Sequence, residues 1–373
     1  MSREKSLLRP PWLELTIMLS AVVLSFAGLS VISFLSGDPA AGEMKTSVVV
    51  LWLAAFFMIS FAIAVISVLA GIGGGVIFTP VMMAFTPVDS MVIRATGLIV
   101  ALISGLISTG VFMKKGLGHF KLCVTLAVSQ GFGALIGASV AVGTANSLGE
   151  KGEGLIRILL GLILAMIAVY FFIGGKKKEW PGIVNQDGIT RWLKLDHTYR
   201  EESDGMVYRY KITRILLGLV LVFAAGFLGG FFGMGAGWAI TPIQNLALGV
   251  PLKVAAANSG IILGMVDSVA VWPYMLAGAI LPLFVLPWLS GQVVGGYLGA
   301  LVLVKTRVHV IRFILIGIMV FTSFGLITDG LAKLNIMAKV PGAVSLIVFF
   351  LIMGADIAVI FTDKKRRRGE DHG

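Results

Sequence analysis

One glycine-rich phrase occurs twice in this chain, each time inside apolar sequence, and the repetition constrains the fold more than any other feature. Gly71-Ile72-Gly73-Gly74-Gly75-Val76-Ile77-Phe78-Thr79-Pro80 returns as Gly233-Met234-Gly235-Ala236-Gly237-Trp238-Ala239-Ile240-Thr241-Pro242. The offset, 233 − 71 = 162, continues downstream: Ser129-Gln130, Gly133, Gly137 and Ala138 fall on Gly291-Gln292, Gly295, Gly299 and Ala300. The chain therefore contains a duplicated unit. In hydrophobic sequence, matched Gly/Pro interruptions in two halves point to the binding site of a transporter.

Of the 373 residues, 57% are hydrophobic and 13% charged, with a mean hydropathy of +0.97. Globular domains carry about 25% charged residues, so the composition is that of an integral membrane protein. Apolar runs near the 20 or so residues of a membrane-crossing helix cover Leu13–Leu35, Ser47–Ala70, Ala95–Met113, Phe120–Val142 and Leu155–Phe172. Ile212–Phe231, Val254–Leu276, Ile280–Leu303, Val308–Ile327 and Pro341–Phe361 follow. Leu13–Leu35 is longer than a signal-peptide core and lacks a small-residue exit, so it reads as a retained helix. The net charge of +11 sits in clusters flanking the runs, which fits a membrane topology and not a nucleic-acid surface. Cys123 is the only cysteine, which excludes an internal disulfide or a cysteine-based metal site. The histidines His119, His197, His309 and His372 are scattered, with no metal-ligand spacing. Neither a cofactor nor a metal is expected, and no enzymatic motif stands out.

Lys and Arg in the short loops set the orientation. Arg3, Lys5 and Arg9 place the N-terminus inside, and Lys114, Lys115 and Lys121 mark a second inside loop. Glu150-Lys151-Gly152-Glu153 reads as an outside loop; Lys176-Lys177-Lys178, Lys305 to Arg312 and the tail Lys364 to Arg368 read as inside. At the 162-residue offset, the basic loop Lys114–Lys121 corresponds to the uncharged Leu276–Val285, and the loop at Glu150 to the basic Lys305–Arg312. Charge changes sides between halves, the mark of inverted repeats. The expected fold is an all-α polytopic membrane protein: two inverted repeats of about five helical segments with glycine-turn re-entrant or broken helices, plus extra terminal helices. The expected units are an N-terminal segment and helix over 1–46, repeats over 47–174 and 212–329, a linker over 175–211, and a last helix with a basic tail over 330–373. The linker contains a strand-pair pattern around Glu201 to Gly205, since Asp-Gly signals a turn. It reads either as a solvated connection or as a regulatory hairpin.

Irregular backbone is tolerated at membrane depth only where protein or a watery cavity satisfies it. Each glycine phrase reads as the turn of a hairpin dipping into the membrane, with Thr79 and Thr241 as N-caps and Pro80 and Pro242 in a first helical turn. Free N–H groups and the positive ends of the short helices then suit an anion; close helix packing by small residues is the alternative. On this reading the substrate-binding candidates are Gly73, Gly74, Gly75, Thr79, Gly235, Ala236, Gly237 and Thr241. The polar residues inside the spans add Thr96, Gln130, Asn258, Ser259 and Gln292. Thr96 and Ser259 match at an offset of 163 (259 − 96), and Gln130 and Gln292 at 162. Gly133, Gly137, Gly291, Gly295 and Gly299 read as packing residues. Arg94 and Lys253 either attract an anion or extend to the membrane interface. Asp267 lies deep in a span, where carboxylates are costly and functional, and is a candidate for proton coupling; Asp356 is a weaker one.

The phrases around Gly71–Pro80, Ala95-Thr96-Gly97, Gly233–Pro242 and Asn258-Ser259 resemble the TauE/SafE family of sulfite exporters, over about Val65 to Leu303. The resemblance implies two related multi-helix halves and a substrate among sulfite and small organosulfur anions, with the permeation site at those phrases. Ala236 in place of a glycine, the long segment 175–211 and the two outer helices depart from the family pattern. The implied function is secondary transport of a small sulfur oxyanion, with sulfite export at the cytoplasmic membrane as its leading form. The lipid bilayer and the anion are the expected partners. Transport of thiosulfate or another sulfonate, a passive anion channel, and a membrane sensor built on residues 175–211 are the alternatives. No G-x-x-x-x-G-K-[ST] phrase occurs, which argues against primary pumping.

Overall fold

The computed structural model describes residues 46–86, 88–173, 186–193, 195, 197–200, 207–305, 309–338 and 340. The expected helices Leu13–Leu35 and Pro341–Phe361, Asp356, the terminal basic clusters, Lys176 to Lys178 and the turn Glu201 to Gly205 lie outside the described residues. The helices are α1 (Thr46–Ala70), α2 (Gly75–Phe85), α3 (Ser90–Lys114), α4 (Phe120–Ile173), the short α5 (Gly188–Trp192), α6 (Ile215–Phe232) and α7 (Gly237–Pro242). After α7, a π-helical stretch Ile243–Ala247 leads to α8 (Leu252–Leu276), α9 (Pro282–Lys305) and α10 (His309–Lys333). Between α5 and α6 lies a two-stranded hairpin, β1 (His197–Arg200) and β2 (Val207–Tyr210). Among the described residues, seven helical segments are long and apolar enough to cross a membrane. The chain is an all-α polytopic membrane protein, and side chains such as Leu51, Met58, Phe132, Met166 and Val220 point outward where lipid would lie.

Local chemistry explains where the elements begin and break. Asp89 caps α3 by accepting from the amides of Met91 (2.9 Å) and Val92 (3.3 Å), satisfying two of the four orphan donors of a helix start. The expected loop at Glu150–Glu153 shrinks to a single break in α4, at Gly149 with φ 54° and ψ −143°. Glu153 is helical and pairs with Arg157 (2.6 Å), which also meets Asp329 of α10 (2.6 Å), while Lys333 reaches Glu153 (3.3 Å). Arg157 donates in addition to the carbonyl of Met83, near the end of α2.

The glycine stripes let helices touch backbone to backbone. A Cβ on Gly133 or Gly137 of α4 would stand 2.2 or 2.0 Å from the carbonyl oxygens of Phe223 or Phe227 in α6. On α9, Gly291, Gly295 and Gly299 face the carbonyls of Phe57, Phe61 and Val65 in α1 at 2.5, 2.5 and 3.1 Å. The same stripe, 162 residues apart, makes the same kind of contact, that of small-residue helix packing in membranes.

The segment between the halves is not a free solvated connection. Thr190, Leu195, Tyr199 and Tyr210 are buried, and β1 pairs antiparallel with β2, placing His197 opposite Tyr210. Lys121 donates to the Leu193 carbonyl, and the Arg214 amide to Asp187 Oδ1 at 2.8 Å. The hydrogen bond from Thr190 holds the Asp187 carboxyl below its usual range, against a small desolvation cost. These bonds pin the segment to the N-terminal ends of α4 and α6. Composition favoured solvation because charged residues outnumber apolar ones here; the few apolar rings are what dock.

Candidate functional site

Each glycine phrase reverses the chain through two left-handed residues: Gly71 (φ 67°) and Gly73 (φ 79°) in the first, Gly233 (φ 67°) and Gly235 (φ 71°) in the second. Glycine alone adopts that region without steric cost. The amides of Gly71 and Ile72 bond back to the carbonyls of Val68 and Ser67 (both 3.0 Å), and those of Gly233 and Met234 to Gly230 (3.3 Å) and Gly229 (3.1 Å). These bonds close the preceding helices as glycine C-caps do, after which α2 and α7 start again in the interior.

The two turns face each other and exchange hydrogen bonds. Thr79 Oγ1 donates to the Gly233 carbonyl (2.6 Å), and Thr241 Oγ1 donates to the Gly71 carbonyl (2.8 Å). A Cβ on Gly75 would stand 2.7 Å from Met234 O, and one on Gly237 would stand 1.9 Å from Ile72 O. Thr79 and Thr241 are therefore not N-caps. The helices begin four residues earlier, at Gly75 and Gly237, with Gly74 and Ala236 at the cap positions and no capping side chain. Pro80 and Pro242 likewise lie beyond the first turn. Sequence favoured Thr-Pro as a helix start; the close approach of the opposite turn moved the start back to the glycines, where no Cβ obstructs it.

Several expected polar residues converge on these turns. Gln292 Nε2 is held by the carbonyl and hydroxyl of Ser60 (both 3.1 Å), with Oε1 unbonded among the described residues and 2.6 Å from where a Cβ on Gly74 would be. The Gly74 amide donates to Ser104 Oγ (3.3 Å). Asp267 Oδ2 lies 2.9 Å from a Cβ position on Gly235, and neither of its oxygens meets a donor among the described residues. Ser259 Oγ points at the Gly237 carbonyl at 3.4 Å. A small cavity of about 10 Å³, room for about one water, beside the first turn is lined by Gly71, Gly73, Ser104, Ser108, Ala256 and Gly260, among others. Ligand sites commonly hold about 300–1,000 Å³, so the turns are nearly closed on each other.

Other candidates lie apart from the turns or are already committed. Thr96 Oγ1 donates to Val92 O (2.8 Å) in its own helix. Asn258 accepts from the His119 amide and donates to Gln244 Oε1, both at 2.8 Å. Gln130 is wholly buried, with both amide atoms unbonded among the described residues, and its backbone packs under Gly226.

Sequence reasoning missed four things here. Ser104 contacts the first turn directly, and a lone serine in an apolar helix carries no signal. Gln244 sits in the π-helical stretch, which no periodicity announces. His119 and His197 stack, ring centroids 4.5 Å apart and planes at 14°, although 78 residues separate them (197 − 119). Arg94 is not at an interface: it is fully buried in α3. Lys253 is half-buried at the start of α8.

A family model described as sulfite exporter TauE/SafE matches residues 55–326, a stretch that includes both turns and runs from within α1 to within α10. The chain belongs to the TauE/SafE family. It is also similar to the probable membrane transporter protein YunE of Bacillus subtilis (strain 168), with 28% identity over 270 residues, covering 70% of this chain and 93% of that one. No solved structure matches it. The family is one of membrane transporters, not of enzymes.

Proposed function

We propose that this chain is a secondary transporter of small sulfur oxyanions that exports sulfite across the cytoplasmic membrane by alternating access at the two facing glycine turns. The reciprocal hydrogen bonds of Thr79 and Thr241 carry the reading. They make the two turns a single unit that opens only by separating, which is the moving part alternating access requires. Once parted, the first-turn amides of α2 and α7 have no carbonyl in their own helices to bond. The backbone of Gly73 to Gly75 and Gly235 to Gly237 then receives the oxyanion. Asp267, beside the second turn, takes and releases the coupling proton. Residues 47–174 and 212–329 act as the two inverted repeats, with both termini on the cytoplasmic side.

Uptake of radiolabelled sulfite into proteoliposomes tests this directly. Gly74→Val and Ala236→Val should abolish flux while the protein still inserts and purifies folded. Asp267→Asn should remove the response to a pH gradient but retain sulfite–sulfite exchange. Full flux in a folded Gly74→Val protein would remove the turns from the path, and an unchanged gradient response in Asp267→Asn would remove the carboxyl from coupling.

A further inference from the structure

Arg94 is completely buried, and among the described residues none of Nε, Nη1 and Nη2 meets an acceptor in hydrogen-bonding geometry. Packing does not explain it. A Cβ on Gly233 would stand 2.2 Å from Arg94 Cβ and 2.4 Å from its Cα. The matching contact 162 residues away (256 − 94) is Gly71 on Ala256, at 2.5 and 2.7 Å. A methyl group therefore suffices at this junction of turn and helix, and the guanidinium extends beyond what the junction uses. The C-terminal end of α6 offsets part of the charge through its dipole, and its carbonyls at Gly229 and Gly230 already accept from the amides of Met234 and Gly233. The Tyr274 hydroxyl, beside the guanidinium, donates to the carbonyls of Gly230 (2.9 Å) and Phe231 (3.1 Å). The rigid fork of five N–H donors thus has the Tyr274 hydroxyl beside it at the edge of the second turn and, among the described residues, no carbonyl or carboxylate in hydrogen-bonding geometry.

We infer that Arg94 is the charged contact of the transported anion: its planar fork receives two oxygens of a sulfite or sulfonate group next to the second glycine turn. A guanidinium fits this task better than an ammonium because it binds an oxyanion through two parallel, charge-assisted hydrogen bonds. The inference rests on the proposed anion transport and adds to it the residue that supplies the counter-charge, which the glycine amides alone do not.

Equilibrium binding to the detergent-purified full chain, with labelled sulfite, sulfate, thiosulfate and methanesulfonate as separate probes, tests the assignment. Arg94→Gln should weaken sulfite binding at least about tenfold, the scale of lost charge-assisted bonds, with unchanged elution as a folded protein. Arg94→Lys keeps the charge but loses the fork and should bind more weakly than wild type. If Arg94→Gln fails to fold, the lysine variant decides alone, and affinity equal to wild type overturns the inference. Sulfite binding within twofold of wild type in folded Arg94→Gln overturns it too, while leaving sulfite transport standing. Binding of a different probe that Arg94→Gln abolishes keeps Arg94 and rejects sulfite. Absence of binding by any probe overturns the anion contact, and the flux assay then judges transport independently.

Discussion

The two glycine turns share their backbone geometry and the apolar contacts of Leu263 and Ala101, and differ in the polar side chains set against them. Both reverse through two left-handed glycines, and both give a carbonyl to a threonine of the other. Yet the first turn meets Gln292, Ser104 and the methyl of Ala256, whereas the second meets Asp267 and Arg94. What the halves share is the architecture that brings the turns together. What they do not share is charge: among the residues facing them, the first turn's polar groups are neutral and the second turn has a carboxyl and a guanidinium. The chemistry of the site is therefore concentrated on one side of a nearly symmetrical frame.

The largest expected effect breaks the frame itself. In Gly237→Val the new Cβ falls 1.9 Å from Ile72 O and 2.4 Å from its carbonyl carbon, backbone that cannot swing aside. The cost should exceed about 3 kcal/mol, the upper end of ordinary overpacking, and little folded protein should survive size-exclusion chromatography. Gly74→Val instead meets side-chain atoms, Gln292 Oε1 at 2.6 Å and Val100 Cγ1 at 2.9 Å; the Gln292 amide is a long side-chain end that can move, though Val100 is stiff. It should purify folded, with a smaller loss of thermal stability. Equal loss at the two positions would mean that the backbone contact of the second helix does not fix the pair.

A smaller effect sharpens the comparison. Thr79→Val and Thr241→Val each remove one donated hydrogen bond and leave a buried glycine carbonyl unsatisfied, at a cost of about 1–3 kcal/mol. The two bonds are 2.6 and 2.8 Å long and equally placed, so the losses in melting temperature should match. Because both bonds join the same two turns, the double variant should lose less than the sum of the singles. Unequal single losses, or strict additivity, would show that the turns are not held as one unit.

Much of this was legible in sequence because it rests on glycine. The 162-residue repeat, the packing role of Gly133 and its counterparts, and the meeting place of Gly73 to Gly75 with Gly235 to Gly237 all follow from where a Cβ is missing. Sequence marked Gln292 and Asp267 as candidates, since an isolated polar residue in an apolar run has few explanations, but not their placement beside the turns: Gln130, marked in the same way, lies apart from them. What sequence hid were interactions that depend on a second element. Thr79 looked like a cap because its partner, Gly233 O, lies 154 residues away. Arg94 looked interfacial because it stands near a helix start, and nothing local shows that Gly233 covers it. The His119–His197 stack depends on the docked hairpin, whose charged composition suggested solvent.

The finest contrast lies at the far ends of the two short helices, and pH should separate them. The end of α2 is held by Arg157, which donates to Met83 O and pairs with Glu153 and Asp329. The stretch after α7 is held through Gln244, Asn258 and the His119 amide. His119 in turn stacks on His197 and lies 3.2 Å, Nδ1 to Oη, from Tyr210; Lys121, two residues on, bonds to Leu193 O, and Arg209 lies opposite Thr198 in the hairpin. Burial pushes the His197 pKa down and the Tyr210 hydroxyl up, so the docked hairpin favours both in their neutral forms. Its support from His197 is complete above the unperturbed histidine value of about 6.5. That support is lost as pH falls through the lowered docked value, because the undocked ring takes the proton more readily. A guanidinium keeps its charge throughout this range. Hydrogen exchange of residues 197–200 and 207–210, corrected for its intrinsic pH dependence, should therefore quicken between about pH 7.5 and about pH 5.5, the window in which histidine titrates. Exchange near Met83 should stay level. His197→Phe keeps a flat ring for stacking but carries no proton, and it should flatten the response. Equal protection at both pH values would assign the docking to Tyr199 and Tyr210 instead of the paired histidines, and a response that persists in His197→Phe would assign the titration to a group other than His197.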